Sequence, residues 1–168
     1  MPLAERPPMP ATAIAPTLVL AIGNPSRGDD AIGPLLAERL QAWLSSQPAS
    51  RQREIDVLCE QQLQVEHLLD LQGRERVLFV DAATQGEPTV HCRPQPVLAP
   101  PSFVSHACHP GQLLGLYQAT LGLAPPDATL LTVTGEDFSL GADPSRIAQE
   151  RMESAWHDLL AWLDNARP

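Results

Sequence analysis

Short, continuously apolar runs that alternate with amphipathic helical segments constrain the fold of this chain most strongly. Three such runs are TLVLAI, RVLFVD and TLLTVT, at Thr17–Ile22, Arg76–Asp81 and Thr129–Thr134. Continuous apolar character is typical of parallel strands that are covered on both faces. The runs therefore predict a buried parallel sheet.

The remaining segments extend the same alternation. Ile55–Cys59 is predicted to be a further strand, and Thr89–Val97 an edge strand, because its prolines cannot donate ladder hydrogen bonds. The fold class is therefore three-layer α/β/α, with a mostly parallel twisted sheet of about five strands and helices on both faces. Apolar residues at helical spacing predict helices at Ala31–Leu44, Val65–Leu71 and Pro110–Leu121, and from Pro144 through Asp164.

Length and charge limit the organisation and the partners of the chain. Residues 1–16 are rich in proline and are predicted to form a flexible tail, and residues 17–168 a single domain. The formal net charge of −9 argues against binding to nucleic acid or to anionic membranes. No apolar run reaches the ~18 residues of a membrane span, and no signal peptide is recognisable, which predicts a cytoplasmic protein. Free thiols are expected, since no CxxC pair occurs among Cys59, Cys92 and Cys108.

Carboxylates follow two of the predicted strands. In open parallel sheets, functional sites lie beyond the carboxyl ends of the strands. Asp29 and Asp30 end the first loop, GNPSRGDD, and Asp81 ends the run RVLFVD. A simpler interpretation also exists, in which Asp29 or Asp30 caps the following helix and Asp81 caps a turn.

Two histidines, His106 and His109, flank Cys108 just before the helix predicted at Pro110. Imidazole is a common metal ligand and acid–base group, although a histidine before a helix often serves as a cap. Two carboxylates and one imidazole from different loops suit a borderline divalent metal such as Zn²⁺, Ni²⁺, Co²⁺ or Mn²⁺. Cys108 could also be interpreted as a nucleophile paired with a histidine, but no orienting third group is evident.

Three segments, TLVLAIGNPSRGDDAIG, RVLFVDA and SHACHPGQLL, together resemble the hydrogenase maturation endopeptidases, the family that finishes [NiFe]-hydrogenase large subunits. The resemblance runs from about Thr17 to Leu163, and GNPSRGDDAIG is its most specific part. It implies a twisted, largely parallel sheet between helices. It also implies an enzyme that cuts one peptide bond near the C-terminus of the large-subunit precursor after nickel insertion.

The resemblance further implies a site and a partner. By motif, the family's metal-contacting residues fall on Asp30, Asp81 and His106, with His109 as the competitor of His106 and Asp29 as a neighbour. One of the carboxylates would also serve as general base. The expected metal is the nickel of the substrate, with zinc or cadmium as substitutes in crystals. The implied partner is the large-subunit precursor, bound transiently by a monomer.

Other functions remain open. A noncatalytic nickel-sensing chaperone would bind the same precursor through the same residues without shortening it. A general metallohydrolase of small amides would hold its own metal without a protein partner. A Rossmann-type dinucleotide binder agrees less well, because Gly23 and Gly28 lack its spacing. The segment Gln61–Leu63 resembles a family segment that lines the cleft, and no role is assigned to it.

Overall fold

Five strands form one mixed sheet in the order β2-β1-β3-β5-β4. The computed structural model describes residues 14–84, 90–100 and 108–165. β1 pairs in parallel with β2 and β3, and β3 with β5, whereas β4 lies antiparallel at the edge beside β5. This arrangement confirms the predicted fold class. The strands are β1 (Thr17–Ile22), β2 (Ile55–Glu60), β3 (Arg76–Ala83), β4 (Val90–Pro94) and β5 (Asp127–Thr134).

Helices connect the parallel strands and cover both faces of the sheet. Two short 3-10 helices, Gly28–Ala31 and Val65–Leu68, lie in the connections after β1 and β2. The second of these is shorter than the helix predicted at Val65–Leu71. The last helix begins two residues after Pro144, because the Ser145 hydroxyl caps it by accepting from the Ala148 N–H at 3.1 Å. The α-helices are α1 (Ile32–Ser45), α2 (Ala49–Gln52), α3 (Pro110–Leu121) and α4 (Arg146–Asp164).

The core has one layer on each side of the sheet. Side chains of β1 and β3 alternate between the two layers, so Val19 and Leu78 face α1 and α4, whereas Leu20 and Phe79 face α3. All six residues of β1 are buried. The two layers hold the carboxyl ends of β1 and β3 side by side at one edge of the core.

Residues 14–16 pack onto the domain, although the sequence predicted a tail through residue 16. Ala15 is buried, and its carbonyl accepts a hydrogen bond from Nη1 of Arg74 at 2.7 Å. The Pro16 carbonyl accepts from the Glu75 N–H at 2.8 Å. Residues 1–13 of the predicted tail lie outside the described residues. Across the described ranges, no helix is both long and apolar enough to cross a membrane.

Arg76 of β3 bonds to the end of α4, so its substitution tests how much this contact stabilises the fold. Its guanidinium donates to the carbonyls of Trp162 and Leu163 at 3.0 and 3.1 Å and lies 4.0 Å from the ring centre of Trp162. We expect Arg76→Met to lower the free energy of unfolding by about 2–3 kcal/mol, because hydrogen bonds from a charged donor are lost. Urea denaturation measures the change. Arg146→Met is the control, since the Arg146 side chain is 85% exposed, and equal losses in both variants would contradict the role of Arg76.

Candidate active site

A cavity of about 310 Å³ opens at the carboxyl ends of β1, β2 and β3. The end of each of these strands, or the residues just after it, contributes to the wall, and the start of α3 closes the other side. The predicted cleft segment Gln61–Leu63 is part of the lining. The cavity is lined by Ile22, Gln61, Gln62, Leu63, Asp81, Cys108, His109, Pro110 and Gln112.

Asp81 is the carboxylate of this cavity. It lies in β3, opposite Thr132 of β5, and its side chain is half-buried. Burial raises the pKa of Asp81, the N–H of Ala82 lowers it, and the negative charge of Asp30 raises it further, to about 7. The Asp81 carboxyl therefore carries a proton part of the time at neutral pH, which is the property of a general acid or base.

Asp30, in the connection after β1, is near enough to Asp81 for its charge to raise the pKa of that carboxyl, although it is not among the residues that line the cavity. It belongs to the 3-10 helix Gly28–Ala31. Its Oδ2 accepts a hydrogen bond from the Asn24 N–H at 3.0 Å, which closes the loop GNPSRGDD on itself. The fold thus brings together two of the three predicted site residues, Asp30 and Asp81, which are 51 positions apart (81 − 30).

Neither aspartate of the first loop caps α1, so this prediction is wrong. The residue before α1 is Ala31, and no side chain caps the helix. Asp29 turns away from α1 and is completely buried. Its carboxylate accepts from the N–H groups of Glu136 and Ser145, both at 2.6 Å, and from the N–H of Asp137 at 3.1 Å. The Ser145 hydroxyl donates a fourth hydrogen bond at 2.9 Å.

The environment of Asp29 keeps it ionised. Burial raises its pKa, but the hydrogen bonds from the backbone of Glu136, Ser145 and Asp137 and from the Ser145 hydroxyl outweigh burial, so the pKa lies below 3.8. Sequence reasoning missed this role because the partners lie more than a hundred positions away. Among these partners, only Ser145 had a signal in the sequence, because a serine after Pro144 is typical of a helix N-cap.

The structure describes only one of the two predicted histidines, His109. His106 falls in residues 101–107, outside the described residues. His109 is the N-cap of α3, and its Nδ1 accepts from the Gly111 N–H at 3.2 Å. Accepting at Nδ1 leaves the proton of the neutral ring on Nε2, so neither nitrogen has a free lone pair. His109 therefore serves as a helix cap in this arrangement.

Cys108 has the properties of a structural thiol. Burial raises its pKa, and the negative charge of Glu66 raises it further, so the reactive thiolate is disfavoured. Its N–H donates to the Leu63 carbonyl at 3.1 Å, which joins the two sides of the cavity. All three cysteines are free, as predicted.

The described residues supply only part of a metal site. Within 14–84, 90–100 and 108–165, no group of three His, Cys, Asp or Glu side chains is placed to hold a metal ion. Asp30 and Asp81 supply two oxygen donors that suit a divalent cation. The third predicted ligand, His106, belongs to the segment that is not described.

Several solved structures share this architecture. The [NiFe] hydrogenase maturation protease HycI from Thermococcus kodakarensis is 23% identical, with a TM-score of 0.64 over 89% of this chain and 92% of its own. The maturating endopeptidase HybD from E. coli has the same identity and TM-score, over 89% of this chain and 93% of its own. An endopeptidase from Escherichia coli, also 23% identical, has a TM-score of 0.68 with coverages of 89% and 93%. This chain has the hydrogenase maturation protease fold.

The shared fold is visible in three dimensions rather than in overall sequence similarity. No protein-family model and no curated protein matches the chain. The likeness to the maturation proteases nevertheless extends over about nine-tenths of each chain. In this chain, Asp81 lies near the carboxyl end of β3, and Asp30 lies in the 3-10 helix of the connection after β1.

The raised pKa of Asp81 predicts a stability cost that depends on pH. Between pH 3.8 and about 7 the folded state binds more protons at Asp81 than the unfolded state, so its stability falls as the pH rises through this window. We expect Asp81→Asn to raise the free energy of unfolding at about pH 8 by about 1–3 kcal/mol and to change it little near about pH 4. Urea denaturation at both pH values tests this. The exposed Asp137, altered to Asn, is the control and should show no such gain.

Proposed function

We propose that this protein is an endopeptidase that removes the C-terminal extension of a [NiFe]-hydrogenase large-subunit precursor after nickel insertion. The observation that carries the proposal is the nearness of the Asp30 charge to Asp81, which lines the cavity of a chain with the maturation protease fold. The resemblance of the segments around Asp30, Asp81 and His106 to that family supports the same activity. We further propose a cytoplasmic monomer that binds its precursor transiently.

Asp30, Asp81 and His106 are assigned to contact the nickel of the substrate. The negative charge of Asp30 is one of the causes that raise the pKa of Asp81. A divalent cation beside both carboxylates offsets this repulsion, and a donor set of two oxygens and one nitrogen suits nickel. Because the metal arrives with the precursor, a nickel-free precursor lacks the group that these residues recognise.

The residues of this chain also supply the proton transfers that peptide hydrolysis needs. An attacking water must lose a proton, and the leaving amine must gain one. Burial and Asp30 raise the pKa of Asp81 to about 7 in the free protein, and contact with the nickel lowers it, so the carboxylate is ionised in the loaded complex and can accept a proton. Its carboxylate takes a proton as the water oxygen bonds to the carbonyl carbon. It returns the proton to the amine nitrogen as the C–N bond breaks, so the protein ends unchanged.

The first test compares nickel-loaded and nickel-free large-subunit precursor, with intact mass reporting C-terminal cleavage. We expect cleavage of the loaded form only. Asp81→Asn should slow it by about 100-fold or more, because a general base is lost. Asp127→Asn is the matched control, since Asp127 lies at the opposite end of the sheet, beside Arg76.

The other outcomes separate the alternatives. Binding of the loaded precursor without cleavage would identify the noncatalytic nickel-sensing chaperone instead. Cleavage of both forms would retain the protease and reject the nickel requirement. Normal cleavage by Asp81→Asn would reject the catalytic assignment.

A second test discriminates between the two histidines. We expect His106→Ala to reduce cleavage of the loaded precursor by about 100-fold or more, because a metal contact is lost. His109→Ala should leave the rate within about threefold and lower the free energy of unfolding by about 1 kcal/mol, because only a helix cap is removed. The cleavage assay and urea denaturation measure the two effects. The reverse pattern would move the assignment to His109.

A further inference from the structure

The loop that carries Asp30 is joined to a second loop from the other half of the chain. The second loop, residues 135–145, connects β5 to α4. Backbone hydrogen bonds join the two, from the Gly28 N–H to the Ala142 carbonyl at 3.1 Å and from the Asp29 N–H to the Asp137 carbonyl at 2.7 Å. The Gly141 N–H also donates to the Ser26 carbonyl at 2.8 Å. The first loop therefore owes part of its shape to residues 135–145.

Asp29 lies at the centre of this junction. Its Oδ2 accepts from the N–H groups of Glu136 and Asp137 and from the Ser145 hydroxyl, and its Oδ1 accepts from the Ser145 N–H. All four partners are donors, so the group that satisfies them must accept at both oxygens. A carboxylate does this, and an amide of the same shape does not.

Asp30 is attached directly to this junction. The Asp30 N–H donates to the Arg27 carbonyl at 3.1 Å, and Nε of Arg27 donates to the Phe138 carbonyl of the second loop at 3.0 Å. On its other side, the carboxylate of Asp30 accepts from the Asn24 N–H. Displacement of residues 135–145 therefore moves the backbone of Asp30.

We propose that Asp29 is a positioning residue of the active site, whose buried carboxylate locks residues 135–145 against the first loop and thereby fixes Asp30 beside Asp81. This inference rests on the proposed function, because it gives Asp29 a role relative to Asp30. Asp29 has no exposed surface, so it cannot touch the precursor itself. Its contribution should therefore pass through Asp30, which is assigned to contact the nickel of the precursor, and should appear in kcat/KM.

Asp29→Asn tests the proposal because it keeps the size of the side chain. Whichever way the amide is turned, its NH₂ group faces a backbone N–H, either that of Ser145 or those of Glu136 and Asp137. The matched control is Asp137→Asn, in the same loop, where the exposed side chain accepts from Ser139, through its N–H at 2.9 Å and through its side chain.

The first readout is hydrogen exchange of the Asn24 amide, which reports the position of the Asp30 carboxylate without any precursor. We expect Asp29→Asn to speed this exchange roughly ten- to a hundredfold, because buried donors lose their acceptor and the loops part locally. The amide of Phe79, in the centre of β3, should keep its protection. Asp137→Asn should change neither amide by more than about threefold.

The second readout is the kinetics of cleavage of the nickel-loaded precursor. We expect Asp29→Asn to lower kcat/KM by about tenfold or more, because a displaced Asp30 weakens both the contact to the nickel and the cleavage step. If Asp29→Asn does not fold, Ser145→Ala removes the hydroxyl donor to Asp29 together with the N-cap of α4, and it should speed Asn24 exchange to a smaller degree while Phe79 keeps its protection.

Three results would overturn the positioning role. These are unchanged Asn24 exchange, equal loss of protection at Asn24 and Phe79, and a kcat/KM of Asp29→Asn within about twofold of that of the unaltered protein. Failure of the proposed function has a different signature, namely normal cleavage by Asp81→Asn. The exchange measurement does not depend on that outcome.

Discussion

Burial of β1 and β3 on both faces is the constraint on which the rest of the structure depends. Every residue of β1 is buried, and so are the four residues Val77–Val80 of β3. A strand covered on both sides has no place for a charged side chain until it leaves the core. The first carboxylates therefore appear where the core ends, and parallel pairing brings the ends of the two strands to one edge.

Asp29, which lies behind the site, and Asp81, which lines it, have environments that differ in the number of hydrogen-bond donors. Asp29 has the lower solvent exposure, yet four hydrogen bonds keep its pKa below 3.8. Asp81 is only half-buried, but burial and the charge of Asp30 outweigh its one backbone donor, so its pKa rises to about 7. The balance between burial and the number of hydrogen-bond donors thus separates the structural carboxylate from the one suited to proton transfer.

The sequence alone predicted the strands whose signals lie within the strand itself. The apolar run at Arg76–Asp81 predicted the centre of β3, and Pro94 predicted that β4 lies at an edge. Asp81 could be assigned to the site because it follows such a run. The role of Asp29 could not be predicted, because a carboxylate before a helix also fits a cap and its real donors lie 107 to 116 positions away.

The same long-range contacts explain why the first loop, GNPSRGDD, carries a recognisable motif and the second loop, residues 135–145, does not. Three of the four donors to Asp29 are backbone N–H groups, which any residue except proline supplies. Residues 136 and 137 are thus weakly constrained in identity, whereas Asp29 must supply its carboxylate. Glycine is also required at Gly28, where φ is +53° and a Cβ atom would lie 2.3 Å from the Asp137 carbonyl oxygen. The requirement for particular residue types therefore falls on Gly28-Asp29-Asp30, although these residues also hold residues 135–145 in place.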